Sequence, residues 1–398
     1  MSNKTYLFRA PASALLMGTL LLVASCNSIP KRYRTSPVPE ELVNKVSIPG
    51  IPDARSWGDE IPPYIQEILN SSDEEVAKKY AGIINKKHTK LAISGGGSNG
   101  AYGSGILVGW TAKGDRPNFT VVSGISTGAI MAPFVFLGSK YDFVLIDLYT
   151  HKTTKDVVTE RRKLRALRRD AFTGTGPLRK LLLSYIGDKE VTLIAAEYRK
   201  GRRLLIGTVN MDMMRPVVWN IGAIANSGAP HARELIVDII LASSAIPVAM
   251  PPVFFNVEAN GKTYQEMHVD GGLFSQVMTY PLSIHWNEVE KKLKPKGQTN
   301  LYVIRNAKMK PEWKVIQPKI SDLAGRSVDS ILRAQGLGDI KQLYLSAQRD
   351  GIKTFLTFIP QDFNQKSTEA FDKKYMKGLF DAGYNSMTKG NPWMTDLD

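Results

Sequence analysis

The sequence predicts an α/β fold with a mostly parallel central sheet and helices on both faces. Three observations carry this. Short apolar strands alternate with helix-length segments between residues 91 and 137, the rhythm of βα units. Two strand-to-helix turns in that stretch are glycine-rich: Gly95-Gly96-Gly97-Ser98-Asn99-Gly100 and Gly124-Ile125-Ser126-Thr127-Gly128. Strand and helix patterns resume after residue 290 with no internal repeat.

The elements follow in chain order. Residues 1–25 read as a signal peptide: Lys4 and Arg9 precede the apolar run Ala14 to Ala24, which is too short to span a bilayer comfortably. Val23-Ala24-Ser25-Cys26 resembles the bacterial lipobox, which makes Cys26 the lipidation site and new N-terminus. Several acyl chains together anchor a protein stably. Asn27 is not aspartate, which favours outer-membrane sorting under the enterobacterial rule. The expectation is a lipid-anchored lipoprotein of a bacterial cell envelope.

Residues 26–63 contain Pro30, Pro37, Pro39, Pro49, Pro52, Pro62 and Pro63 and predict an extended tether. Residues 64–87 predict a helical extension through Ile65, Ile68, Leu69 and Val76. Strands are expected at Leu91–Ile93, Phe119–Val122, Arg203–Val209, Thr263–Val269, Leu301–Ile304 and Ile352–Ile359. Helices are expected at Gly100–Ala112, Thr127–Leu137, Ala232–Leu241, Ile320–Ala347 and Asp372–Met387. Residues 88–290 form the predicted catalytic core, and 291–398 an α/β part that completes the domain.

Composition narrows the classes. Hydrophobic residues at 43% and charged residues at 22% exclude a mostly disordered chain and a polytopic membrane protein. The single cysteine excludes an internal disulfide and a CxxC site. A net charge of +15 suits nucleic acid, anionic lipid or solubility alone, and charge does not choose among them. Export removes genomic DNA from consideration, so no nucleic-acid partner is expected. Protein partners are not specified.

The loop Gly95–Gly100 matches G-x-G-x-x-G, but the second strand ends in Ser123-Gly124 without the carboxylate a dinucleotide ribose requires. The alternative is a cradle of backbone N–H groups at a helix N-terminus for another anion, as in an oxyanion hole. Gly124-Ile125-Ser126-Thr127-Gly128 is G-x-S-x-G between a strand and a helix, the setting of a nucleophile elbow. Asp270-Gly271-Gly272 puts a carboxylate at a strand end beside open backbone, where a desolvated aspartate can accept a serine proton. His268 and His285 leave a Ser–His–Asp esterase open.

Four segments in order resemble the patatin-like phospholipase family: Gly95–Gly100, Gly124–Gly128, Ala242-Ser243-Ser244-Ala245-Ile246-Pro247 and Asp270–Gly272. The resemblance implies a three-layer α/β sandwich and a lipid acyl hydrolase of the phospholipase A or lysophospholipase kind. It implies Ser126 as nucleophile, Asp270 as base, and Gly96, Gly97 and Ser98 as oxyanion hole, with no metal or organic cofactor. Membrane phospholipid or lysophospholipid is the implied substrate. The family pattern carries Arg or Lys where this chain has Asn99. A catalytically silent envelope lipoprotein on the same fold is the alternative. The basic run Arg161–Arg169 predicts a helix facing either anionic lipid or solvent.

Overall fold

Alternating side chains of the central strands set the layering. The computed structural model describes residues 36–160, 171, 173–281 and 283–397. In β2, after β1 (Arg55–Trp57) and spanning Thr89–Ile93, every residue is buried, as a strand covered on both faces requires. Leu91 and Ile93 face one apolar cluster, and Ala92 faces the other. The first cluster takes in the helices Gly100–Lys113, Thr127–Leu137 and Ala232–Ser243. The second takes in Pro63–Asn70, Trp286–Leu293 and the second half of Ile320–Arg349. The result is a three-layer α/β sandwich.

The remaining strands are β3 (Val121–Gly124), β4 (Thr159–Glu160), β5 (Thr173–Gly174), β6 (Arg203–Asn210), β7 (Arg215–Asn220), β8 (Val253–Ala259), β9 (Lys262–Asp270), β10 (Asn300–Arg305) and β11 (Lys353–Phe358). The main sheet runs β1-β7-β6-β3-β2-β10-β11, and β4 and β5 pair separately. The stretch β6-β3-β2-β10-β11 is parallel throughout. Residues 291–398 thus supply two strands of the same sheet.

β6 is the strand that organises the site. One edge pairs with β7 from Leu205 to Asn210. On the other edge β3 pairs only as far as Gly124↔Ile206, and β9 takes over with Thr208↔Asp270. The ends of β3 and β9 therefore meet along one edge, two residues apart on β6, or about 7 Å.

The sequence leads one to expect a free tether through residue 63, and the structure corrects this from residue 36 onward. Ile48, Ile51 and Ala54 are buried in the first cluster, and β1 pairs antiparallel with β7 at the sheet edge. The prolines do impose an extended chain, but that chain is paired and packed. The helical extension expected over residues 64–87 holds two helices, Pro63–Asn70 and Asp73–Lys79. The break falls at Ser71-Ser72, where Ser72 forms a capping box with Glu75. No helix among the described residues is long and apolar enough to cross a membrane. Cys26, the signal segment and the basic run Arg161–Arg169 lie outside the described residues.

Candidate active site

The elbow is built by close approach. At Gly124 an added Cβ would sit 2.3 Å from the carbonyl oxygen of Gly128, and at Gly128 2.2 Å from that of Ile93. No side chain fits at either place, so both glycines are sterically required. Between them Ser126 adopts φ 53° and ψ −121°, a strained conformation for a residue with a Cβ, costing about 1–3 kcal/mol. The turn stands at the carboxyl end of β3 and opens the apolar helix Thr127–Leu137.

The segment Ala242–Pro247 holds this strained turn. The amide of Ser126 donates to Ser243 Oγ at 3.0 Å, and Ser243 Oγ donates to the Gly207 carbonyl at 2.6 Å. Ser244 Oγ donates to the Ser126 carbonyl at 3.3 Å. The Ala245 carbonyl accepts the amide of Asp270 at 3.0 Å. One short segment thus fixes the backbone of both residues. The sequence flags it as a signature but does not disclose this role.

Asp270 closes β9 and is buried. Its carboxylate accepts the Gly272 N–H at 2.7 Å and a hydrogen bond from the Ser126 side chain. Burial pushes its pKa up to about 7, and these two hydrogen bonds only partly oppose the rise. The arrangement is a carboxylate near neutral pKa hydrogen-bonded to a serine hydroxyl, which suits proton transfer at physiological pH.

His268 does not serve this serine. Its Nδ1 lies 2.9 Å from Thr208 Oγ1 and its Nε2 3.2 Å from Glu266. The Trp219 indole N–H donates to the same Thr208 oxygen at 2.8 Å. That pattern assigns the Nε2–H tautomer, donating to Glu266 and accepting from the Thr208 hydroxyl. Burial pushes the His268 pKa down, although the hydrogen bond to Glu266 opposes it. Burial also favours a neutral Glu266, but His268 and Arg55 outweigh it and bring the Glu266 carboxyl down to about 2. Arg55 comes from β1, so the misread N-terminal segment neutralises a buried carboxylate next to the site. His285 is exposed at the start of the helix Trp286–Leu293. The Ser–His–Asp reading finds no base in either histidine.

The glycine loop lies beside the elbow because β2 and β3 are parallel neighbours, with Ile93 opposite Gly124. The Gly95 amide donates to the Gln276 carbonyl at 3.0 Å. Asn306, fully buried at the carboxyl end of β10, clamps the loop's root. Its amide donates to Ser94 Oγ at 2.8 Å, its Nδ2 to the Ser94 carbonyl at 3.0 Å, and its Oδ1 accepts the Gly103 amide at 3.0 Å. Gly96 has φ 149°, and a Cβ there would meet the Asn306 carbonyl at 2.6 Å. Among the described backbone bonds, the N–H groups of Gly96, Gly97 and Ser98 have no acceptor. They stand just before the 14-residue helix Gly100–Lys113, whose N-terminus adds positive potential. Asn99 turns its carboxamide oxygen to the Tyr375 hydroxyl at 2.7 Å. Asn306 and Gln276 are contributions that the sequence reading missed. A polar residue at the end of a buried parallel strand, as in Arg305-Asn306, is the signal that points to the first.

A mostly apolar cavity of about 440 Å³ adjoins the elbow. Ile125, next to Ser126, and Gly271, next to Asp270, both line it, with Leu205, Val217, Met278 and Leu343. Among the described residues no group of three or more His, Cys, Asp or Glu is arranged to hold a metal ion.

No curated protein sequence matches this chain. The crystal structure of VipD from Legionella pneumophila is similar at 12% identity, covering 77% of this chain and 66% of that one, with a TM-score of 0.36. The chain thus spans just under two thirds of that protein's length. The family model that matches is the patatin-like phospholipase model, over residues 91–282. That span begins in β2, includes the elbow and the Ser243 segment, and ends beyond Asp270. Residues 91–282, just under half of the chain, are thus similar to a patatin-like phospholipase domain.

Proposed function

We propose that the chain is a lipid acyl-ester hydrolase working through a Ser126–Asp270 dyad, anchored by an acylated Cys26 in a bacterial cell envelope. The observation that carries the reading is the hydrogen bond from the Ser126 side chain to a buried carboxylate of near-neutral pKa. As Ser126 Oγ attacks the ester carbonyl carbon, its proton passes to Asp270. The oxyanion is received by the N–H groups of Gly96, Gly97 and Ser98. Collapse breaks the ester C–O bond, and the departing alcohol takes the proton from Asp270. Water then attacks the acyl-enzyme and gives a proton to Asp270. The fatty acid leaves, and the proton returns to Ser126. The apolar cavity beside Ile125 and Gly271 offers room for an acyl chain, which favours phospholipid or lysophospholipid over a short soluble ester.

The test is a lipid-hydrolysis panel and fluorophosphonate labelling with wild type and Ser126→Ala side by side. The expected result is wild-type fatty-acid release and labelling, both abolished in Ser126→Ala. A folded wild type that neither labels nor releases fatty acid would leave the silent lipoprotein as the correct reading.

A further inference from the structure

The helix Ile320–Arg349 has two unlike halves. In the second half Ile340, Leu343 and Ala347 are buried on one side against the second apolar cluster. At about 100° per residue, Ile320, Leu323, Ala324, Val328 and Ile331 share an arc of about 140° on the opposite side of the same helix. That arc faces away from the protein. Ile320 is 89% exposed, Leu323 53%, Val328 54% and Ile331 66%. Asp322, Asp329 and Arg326 fall on the other face at the same spacing, so the half-helix is amphipathic with its apolar side outward. A stripe of this width on a soluble helix normally meets another surface.

The preceding segment adds to it. Trp313 is 89% exposed and Val315 65%. Arg326 donates to the Glu312 carbonyl at 2.6 Å and Arg333 to the Met309 carbonyl at 2.9 Å, which holds this segment along the helix. Lys310, Lys314 and Lys319 flank Trp313 and are exposed. Glu312, the acid among them, is paired with Lys308 at 2.6 Å. An apolar stripe, an exposed tryptophan and a flanking set of lysines are what an anionic lipid surface selects.

We propose that this outward face, Ile320–Ile331 with Trp313, inserts into the headgroup–acyl boundary of a bilayer containing anionic phospholipid. The lysines favour that occupant over a second copy of the chain, which would bring like charges together. Docking there has a link to the loop beside Ser126. Asp339 on the same helix accepts the Gln276 amide at 2.6 Å, and the Gln276 carbonyl holds the Gly95 amide. The inference needs no acyl transfer and stands if the catalytic reading fails.

The test uses the full chain carrying Cys26→Ser and Ser126→Ala. Cys26 is the one cysteine, so this background is cysteine-free and does not hydrolyse its vesicles. Val328→Cys and Asp329→Cys are labelled separately with an environment-sensitive fluorophore and mixed with phosphatidylglycerol vesicles. Equal unfolding midpoints establish that both variants are folded. The expected result is a blue shift and quenching by acyl-chain nitroxide lipid at position 328, neither at 329, and a smaller response with phosphatidylcholine alone. Equal responses at both positions, no response at either, or an equal response to phosphatidylcholine would overturn the proposal. A blue shift at 328 that needs no lipid and accompanies dimerisation would overturn it in favour of a second copy.

Discussion

The Tyr375 hydroxyl, from the C-terminal helix Lys373–Lys389, donates to the side-chain oxygen of Asn99 at 2.7 Å. This bond joins two residues 276 positions apart and ties the glycine loop to the last helix of the domain. Asn99 is thus a neutral side chain already engaged elsewhere.

Asn99→Ala is therefore expected to cost less than about tenfold in turnover, because the proposed donors are backbone N–H groups. Gly97→Pro removes one such donor, and its expected cost is about 10²- to 10³-fold. Steady-state rates on one phospholipid and one neutral ester compare the two. Equal inactivation would make Asn99 itself a ligand.

Asp270→Asn keeps the shape and deletes the proton acceptor, with an expected loss of about 10²-fold or more. In wild type, kcat/KM should fall as pH drops through about 7, where Asp270 takes up its proton. Stability moves the other way. The folded pKa lies above the unfolded value of 3.8, so the folded protein holds the proton more tightly. It is relatively favoured at low pH and loses that advantage as pH rises from about 4 to 7, by at most about 4 kcal/mol. Asp270→Asn should accordingly raise the denaturation midpoint at pH 8, a shift that chemical denaturation would detect.

Ser243→Ala leaves the Ser126 amide and the Gly207 carbonyl without their shared partner. The expected cost is about 1–3 kcal/mol in stability, with a fall in kcat larger than any change in KM as the strained elbow relaxes. Ser244→Ala should cost less, since the Ser244 hydroxyl also donates to the Ile240 carbonyl and its contact with Ser126 is longer. Thermal unfolding and kinetics on the same samples separate the two effects.

His268→Ala opens a cavity among Trp219, Phe255 and Glu266 and is expected to destabilise by about 2–4 kcal/mol. The folded fraction should keep kcat within about tenfold. A loss matching that of Asp270→Asn, in protein with native circular dichroism, would return the histidine to the mechanism.

Cys26→Ser is expected to block acylation and processing. Residues 27–398 behind an ordinary cleavable signal should yield protein without the covalent anchor, and fractionation of labelled cells distinguishes the forms.

Much of the site was legible because its parts are local. The elbow needs Gly124 and Gly128 at fixed offsets from Ser126, and nothing distant changes that requirement. Asp270 was readable as a strand-end carboxylate, but its pairing with Ser126 required the four-segment resemblance. Ser243 stood out only as part of a signature, and Asn306 not at all, because their roles lie in contacts 117 and 212 residues away. The misreading of residues 36–57 has a related cause. Proline content reports an extended backbone but not whether another strand lies alongside, and here β7 does.

That edge pairing shortens the leash. A chain free from Cys26 to Pro63 would let the domain roam more than 100 Å from an acylated cysteine. Ser36 is already tied to β9, its carbonyl accepting the Gln265 amide at 2.7 Å, so the chain between that tie and Cys26 could reach at most about 35 Å. A domain anchored through Cys26 as proposed would then be confined to a shell about its own width above the lipid. Within that shell it needs only to rotate, not to travel, to bring a chosen face to the bilayer.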